Sequence, residues 1–253
     1  MDANYWNTFA HEYHKVVTDA FTYGRNKIVE EYVDRIASPE HEAADFGCGT
    51  GKALPFLSTK FKNVYGYDFS EKLLEFAHDR CAKIDNVHIE LADLSQPVKH
   101  LPMVEAAISL NAAIMPSAEL RDQMLKGIVS RIKPGGHLIL VVPSVESILY
   151  IAFREMEVNL RKGLELADAV ADVDLTSIPD SRSIIQGIMG RGGEPTKHFL
   201  KEELEVTIKK LKLDLLTIHK VEYAWATELD DVPRWVKEPY PWDWLVLASV
   251  PEK

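Results

Sequence analysis

Only two cysteines, Cys48 and Cys81, occur in 253 residues, which leaves neither a disulfide framework nor a cysteine-rich zinc site. No apolar stretch approaches the ~20 residues that cross a bilayer as a helix. The opening Met1-Asp2-Ala3-Asn4-Tyr5-Trp6 lacks the basic and apolar regions of a secretory signal, so a cytoplasmic location is expected. Basic residues form no run, and 29 Lys and Arg against 39 Asp and Glu give a formal charge of −10. Phosphate neutralisation needs clustered cations, so neither nucleic acid nor membrane is an expected partner. Internal repeats and low-complexity tracts are also lacking. The remaining composition is that of a globular protein, and the length suits one α/β domain with an insertion, residues 1–253 as a single unit.

From Ala43 onward, short apolar strands alternate with amphipathic helices. Strands are expected over Ala43–Phe46, Val64–Asp68, Val87–Leu91, Ala106–Leu110 and His137–Val142, with helices near Lys52–Ser58, Ser70–Lys83 and Ala118–Ile132. Such alternation implies a parallel sheet with right-handed crossovers. Tyr5–Ala20 and Asn26–Ile36 read as helices, giving an N-terminal helical cap over 1–37. The alternation stops near the end: an amphipathic helix over Leu200–Leu211 precedes strands at Leu213–Trp225 and Trp244–Val250, and two strands with no helix between them pair antiparallel. Between Ser144 and Lys197 lie residues the core does not need. Ile148–Val170 has helical periodicity, and the stretch through Pro179, Gly187, Gly190, Gly192 and Gly193 reads as a mobile loop.

The most informative segment is Asp45-Phe46-Gly47-Cys48-Gly49-Thr50-Gly51, where a strand ends in three close glycines and runs into a helix. A ligand can lie against bare backbone there. In the dinucleotide spacing G-x-G-x-x-G, Lys52 takes the place of the third small residue, and the P-loop spacing is absent. Asp68 ends the second strand seventeen residues after Gly51, where a carboxylate accepts from both ribose hydroxyls. Asp93 follows the third strand, and Asn111 ends the fourth at the carboxyl edge, where ligands of open α/β sheets bind. Ile132-Lys133-Pro134-Gly135-Gly136 is expected to be a turn before the fifth strand. Cys48 is either a thiolate activated by a helix N-terminus or a small residue fitting a tight turn.

In this order and at these distances the motifs resemble those of the class I S-adenosylmethionine-dependent methyltransferases of small-molecule type. The resemblance covers about Tyr5 to Val250, except Ser144–Lys197 and the Trp225–Pro241 connection. It implies a Rossmann-like, seven-stranded, mostly parallel sheet with an antiparallel last strand and helices on both faces. By the resemblance, Asp45, Gly47, Cys48, Gly49, Thr50 and Gly51 pass under the methionyl part of S-adenosylmethionine, with S-adenosylhomocysteine as product. Asp68 and Phe69 meet the ribose side, Asp93 and Leu94 the adenine, and Asn111 lies beside the methionyl group. Tyr5-Trp6-Asn7-Thr8-Phe9-Ala10-His11-Glu12-Tyr13 looks like the family's W-x-x-x-A-x-x-Y helix, with Tyr13 closing the site. Asn111-Ala112-Ala113-Ile114 departs from the N-P-P-Y type motif, which argues against amino-group methylation of nucleobases or glutamine.

The resemblance implies transfer of an already activated methyl group to a small-molecule acceptor, with alignment and exclusion of water as the main demands. No metal is expected: His11 and His14 are helically spaced but lack a third ligand. A general base is needed only if the acceptor's proton leaves early; His198, His14, Tyr13 and Glu146 are the candidates, and none is singled out as catalytic. Segment 144–197 is expected to be a lid that chooses the acceptor, with Tyr150, Phe153, Arg154 and Met156 toward its pocket. The expected assembly is a monomer or homodimer. A cofactor-binding protein without turnover and an NAD-dependent dehydrogenase, which would share the loop and Asp68, remain alternatives.

Overall fold

The computed structural model describes residues 6–8, 10, 19–175, 180–191 and 194–252. Its centre is a seven-stranded sheet in the order β3-β2-β1-β4-β5-β9-β8. The strands are β1 (Glu42–Phe46), β2 (Asn63–Asp68), β3 (Val87–Leu91), β4 (Val104–Leu110), β5 (Ile132–Pro143), β8 (Asp214–Glu222) and β9 (Trp242–Ser249). The pairs β3-β2, β2-β1, β1-β4 and β4-β5 are parallel, whereas β9 runs antiparallel to both β5 and β8. The last strand is therefore the reversed one, as expected of two strands with no α-helix between them.

Strands β1, β4, β5 and β9 are near-continuous apolar runs because both of their faces are covered. Alternation sends Ala44, Phe46, Ala107, Leu138, Leu140 and Val246 to one face, against helix α5 (Ala118–Val129) and helix α9 (Lys201–Lys210). The opposite face buries Ala43, Ile108, Ile139, Val141, Leu245 and Leu247 against α2 (Ile28–Ile36), α3 (Leu54–Ser58) and α4 (Glu71–Cys81). This three-layer arrangement leaves the carboxyl ends of β1, β2 and β4 at one edge.

Helix starts follow local chemistry. Ser70 sits extended before α4, accepts from the Leu73 amide at 3.2 Å, and places Leu73, Leu74, Ala77 and Cys81 on the buried side. Ser117 and Ser144 cap α5 and α6 (Val145–Arg161) in the same way. The helix expected from Lys52 begins two residues later, at Leu54, because Gly51, at φ +70°, keeps the chain in a turn.

Four boundaries differ from the sequence reading. Most of the expected Tyr5–Ala20 helix lies outside the described residues; Trp6–Thr8 is helical, but Ala20 belongs to a separate turn of helix, α1 (Ala20–Tyr23), capped by an extended Asp19 that accepts from Thr22. The Pro134-Gly135-Gly136 turn lies inside β5, whose register with β4 shifts between Ile132 and His137 while the Gly135 amide donates to Val250. The eighth strand stops at Glu222, and Trp225 opens a short 3-10 turn. The segment read as a mobile loop instead carries α8 (Ser181–Ile185) and a hairpin of β6 (Ile188–Met189) with β7 (Thr196–Lys197). Apolar β6 and the buried stem of Lys197 hold it to the body, a tertiary effect that Gly and Pro content conceals. Before it, the 148–170 periodicity resolves into α6 and a short α7 (Leu166–Ala171).

Candidate functional site

A cleft of about 340 Å³ opens at the carboxyl edge of β1, β2 and β4. Gly47, Asp68, Phe69, Asp93, Leu94 and Asn111 line it, together with apolar Leu73, Ile114, Met115 and Met124 and, from the N-terminal segment, Trp6. Six of the residues singled out in the sequence thus meet in one concavity. Asp45, Cys48, Gly49, Thr50 and Gly51 stand behind that wall, and Tyr13, with His11 and His14, lies outside the described residues.

The glycine loop holds itself together. Gly47 and Cys48 both donate to the Tyr67 carbonyl, at 2.7 and 2.9 Å, Gly51 donates to Cys48 at 2.9 Å, and Gly49 donates to Asp68 Oδ2 at 2.9 Å. Four amides of the loop are therefore committed inside the protein. A pyrophosphate, which needs such N–H groups as donors, has no call on them. Gly47 has φ +85°, and a Cβ there would lie 2.3 Å from Ala112 Cβ, so the loop is pressed against the end of β4.

Asp68 is 5% exposed and anchors the cleft floor. Its Oδ1 accepts from Ser70 N at 2.9 Å while Oδ2 accepts from Gly49 N at 2.9 Å, and the residue lines the cleft. Burial pushes the Asp68 carboxyl up, against the pull of the Ser70, Gly49 and Phe69 amides. Asp93 is exposed; its Oδ1 takes the Ser95 amide at 2.9 Å and hydroxyl at 2.6 Å, the turn-opening geometry expected of an aspartate. Asn111 sits at φ +52°, with its amide on the Val141 carbonyl and its Nδ2 on Asp243 Oδ2 at 2.8 Å. Its Oδ1 is buried and without a partner among the described residues.

Asp45 is 3% exposed, and its Oδ1 also lacks a partner among the described residues. Burial first, then the charges of Asp19 and Asp68, raise its carboxyl to about 8, so it holds a proton at neutral pH in the absence of a cation. The folded protein therefore binds a proton that the unfolded chain has released between pH 3.8 and about 8, and stability declines as pH rises through that window. Asp45→Asn is expected to flatten this decline and raise the melting temperature at pH 8 by at least about 3 °C. Thermal melts of both proteins from pH 5 to 8 check it; parallel curves would show that Asp45 is not protonated. The Cys48 thiol is pushed far up by burial and by the charges of Asp45 and Asp68, so it is a buried turn residue and not a reactive thiolate.

Comparison with known proteins accords with this geometry. Residues 43–136 match the family model of the methyltransferase domain. Over these residues the chain resembles a class I methyltransferase domain, and its sheet has the Rossmann-like methyltransferase fold. The curated "Methyltransferase GfsG" of Streptomyces halstedii is 31% identical over 119 residues, which are 44% of this chain and 41% of that protein, so the match spans less than half of the relative's length. A solved S-adenosylmethionine-dependent methyltransferase from Methanosarcina mazei has the same fold, with a TM-score of 0.62, 15% identity, and coverage of 88% of this chain and 98% of that one. The N-methyltransferase NodS of Bradyrhizobium japonicum, solved with S-adenosylhomocysteine, superposes with a TM-score of 0.59 at 12% identity, over 97% of this chain and all of that one (100%).

Outside the matched span, two of the expected bases, His198 and Glu146, are absent from the cleft lining. His198 is half-buried with Nδ1 3.2 Å from the Thr196 carbonyl, and desolvation lowers its pKa to about 4. Glu146 accepts from Ser144 Oγ, Trp244 Nε1 and the Lys201 amide; burial alone would raise its pKa, but these bonds hold it below the ordinary value. It ties α6, α9 and β9 together. Of the four residues expected toward an acceptor pocket, Tyr150 packs on Trp225 and Trp242, Arg154 pairs with Glu157 and stacks on Trp235, and Phe153 is 50% exposed. Neither these three nor Met156 line the cleft. Sequence reasoning missed Asp243, a single acid in the apolar run Trp242-Asp243-Trp244-Leu245-Val246-Leu247, which was itself the available signal. Its partner Tyr223 donates to Oδ2 at 2.6 Å.

Proposed function

We propose that the protein transfers the methyl group of S-adenosylmethionine to a small-molecule acceptor. The observation that carries this reading is the pairing of a glycine loop whose amides are already committed with a carboxylate, Asp68, that lines the cleft. That donor and acceptor set fits a ligand offering two vicinal hydroxyls and no phosphate. The orphaned Asp45 Oδ1, buried with a carboxyl that protonates for want of a cation, fits a ligand with a positively charged end.

In this reading Asp68 accepts from both ribose hydroxyls. The apolar wall of Phe69, Leu94, Ile114 and Met124 takes the flat faces of the adenine, and the free oxygen of Asp93 meets its amino group. Asn111 and the loop from Asp45 through Gly51 border the methionyl end. S-adenosylmethionine, when bound, supplies a methyl group already activated by its sulfonium. The chain orients the two reactants and keeps water out. Segment 144–197 serves as the lid, and 1–37 as the cap. Formal charge −10 and the modest size of the cleft, about 340 Å³, support a small acceptor over a nucleic acid.

Incubation with S-adenosylmethionine labelled in its methyl group tests this. The expected result is label in small molecules with equivalent formation of S-adenosylhomocysteine. Label in tRNA or protein and none in small molecules would refute the small-molecule part.

A further inference from the structure

The outer side of α6 departs from the pattern of a surface helix. At about 100° per residue, Leu149, Phe153, Met156 and Leu160 fall within a sector of about 60°. Leu149, Phe153 and Leu160 there are 47%, 50% and 37% exposed. A surface helix ordinarily turns charge outward at such positions. The charged side chains of α6 are instead committed inside the chain. Glu146 accepts from Ser144, Trp244 and the Lys201 amide, Arg154 pairs with Glu157, Glu155 pairs with Arg191, and Arg154 and Arg161 lie over the Trp235 ring. Helix α7 packs back on α6 through buried Ala169, whose carbonyl accepts from Asn159 Nδ2 at 3.3 Å, and it exposes Leu166 and Val170 one helical turn apart. Because Asn159 adjoins Leu160, apolar surface continues from the C-terminal half of α6 onto α7.

The stripe is self-complementary. Its spacing of four, three and four residues reads the same from either end. That is the seam spacing of a coiled coil, and reversing a second copy sets Leu149 against Leu160 and Phe153 against Met156. A two-fold contact, in which each partner offers the same patch, needs this property. Charge selects the same occupant. Two uncharged stripes bury no unpaired ion, whereas a nucleic acid or an anionic membrane would call for cations that the stripe lacks. The area also suffices. At their observed exposures Leu149, Phe153, Leu160, Leu166 and Val170 offer on the order of 450 Å², close to the apolar share of the ~800 Å² that each partner gives to a standard interface.

We infer that the outer faces of α6 and α7 join two copies of this chain about a two-fold axis, with α6 antiparallel to α6 of the second copy. Antiparallel packing also sets the two helix dipoles head to tail. Phe153 and Met156, expected from the sequence to face an acceptor pocket, then serve the neighbouring copy. The pairing is independent of which ligand the cleft takes, since no residue of the stripe lines it.

Sedimentation velocity and multi-angle light scattering of the full chain, over a concentration series reaching about 100 μM, test this. The expected result is a dimer at micromolar concentration in the wild type. Phe153→Glu and Met156→Lys should each weaken it by about 10-fold or more, because either places an unpaired charge in the contact. Mixing the two variants should restore a dimer, since the reversed pairing sets the introduced carboxylate against the introduced ammonium. That recovery also shows that both variants are folded. Leu216→Glu, at a position of the β8 edge that is 51% exposed, should leave the dimer unchanged. A monomeric wild type, an undiminished dimer in Phe153→Glu, no recovery on mixing, or loss of the dimer in Leu216→Glu overturns the inference.

Discussion

Gly47→Ala is expected to cost about 2–5 kcal/mol of stability, from left-handed backbone strain plus overpacking. The position has φ +85°, which L side chains rarely adopt, and the new Cβ would stand 2.3 Å from Ala112 Cβ. Neither neighbour yields easily: the Gly47 amide is bound to the Tyr67 carbonyl at 2.7 Å, and Ala112 directly follows Asn111, itself fixed to Asp243. Adding Ala112→Gly removes the contact and leaves the strain, so the double variant should recover roughly half of the loss. Chemical denaturation of the two single variants and the double variant measures this. A Gly47→Ala protein as stable as wild type would mean that the loop is not pressed against β4. Because Gly47 also lines the cleft, the single variant should lose ligand affinity along with stability.

Asp68→Ala should weaken S-adenosylhomocysteine binding by about 100-fold or more, because two charge-assisted hydrogen bonds to one ligand are removed. The substitution also frees the Gly49 and Ser70 amides, so some loss of stability accompanies it. Ser70→Ala separates the effects. It removes the cap of α4 and costs about 1 kcal/mol of stability, yet leaves the carboxylate in place. Its affinity should stay near wild type. Equal weakening in both variants would assign Asp68 a purely architectural role.

The sheet and its reversed strand were legible because their signals are local and periodic. Apolar runs at Val87–Leu91 and Ala106–Leu110, the Ser70 cap and the glycine cluster carry their meaning within a few residues. Asp68 and Asp93 could be located because one ends a strand and the other follows one by two residues. The rest depends on what lies across the sheet. That Glu146 joins α6, α9 and β9, or that desolvation lowers His198 to about 4, follows from partners 50 to 100 residues away or from packing that has no sequence period. The same holds for Lys197, whose ammonium bonds to Glu203 at 2.6 Å and to the Gln186 carbonyl at 2.9 Å and turns a glycine-rich stretch into an anchored hairpin. Asp243 illustrates a third case: the anomaly was visible in an apolar strand, but its meaning needed Tyr223 and Asn111 beside it.

Parallel calorimetric titrations of the wild-type protein with S-adenosylhomocysteine and NADH test the central claim most directly. The committed amides of Gly47, Cys48, Gly49 and Gly51 predict saturable one-to-one binding of S-adenosylhomocysteine and no detectable heat with NADH. Binding of NADH without binding of S-adenosylhomocysteine would contradict it.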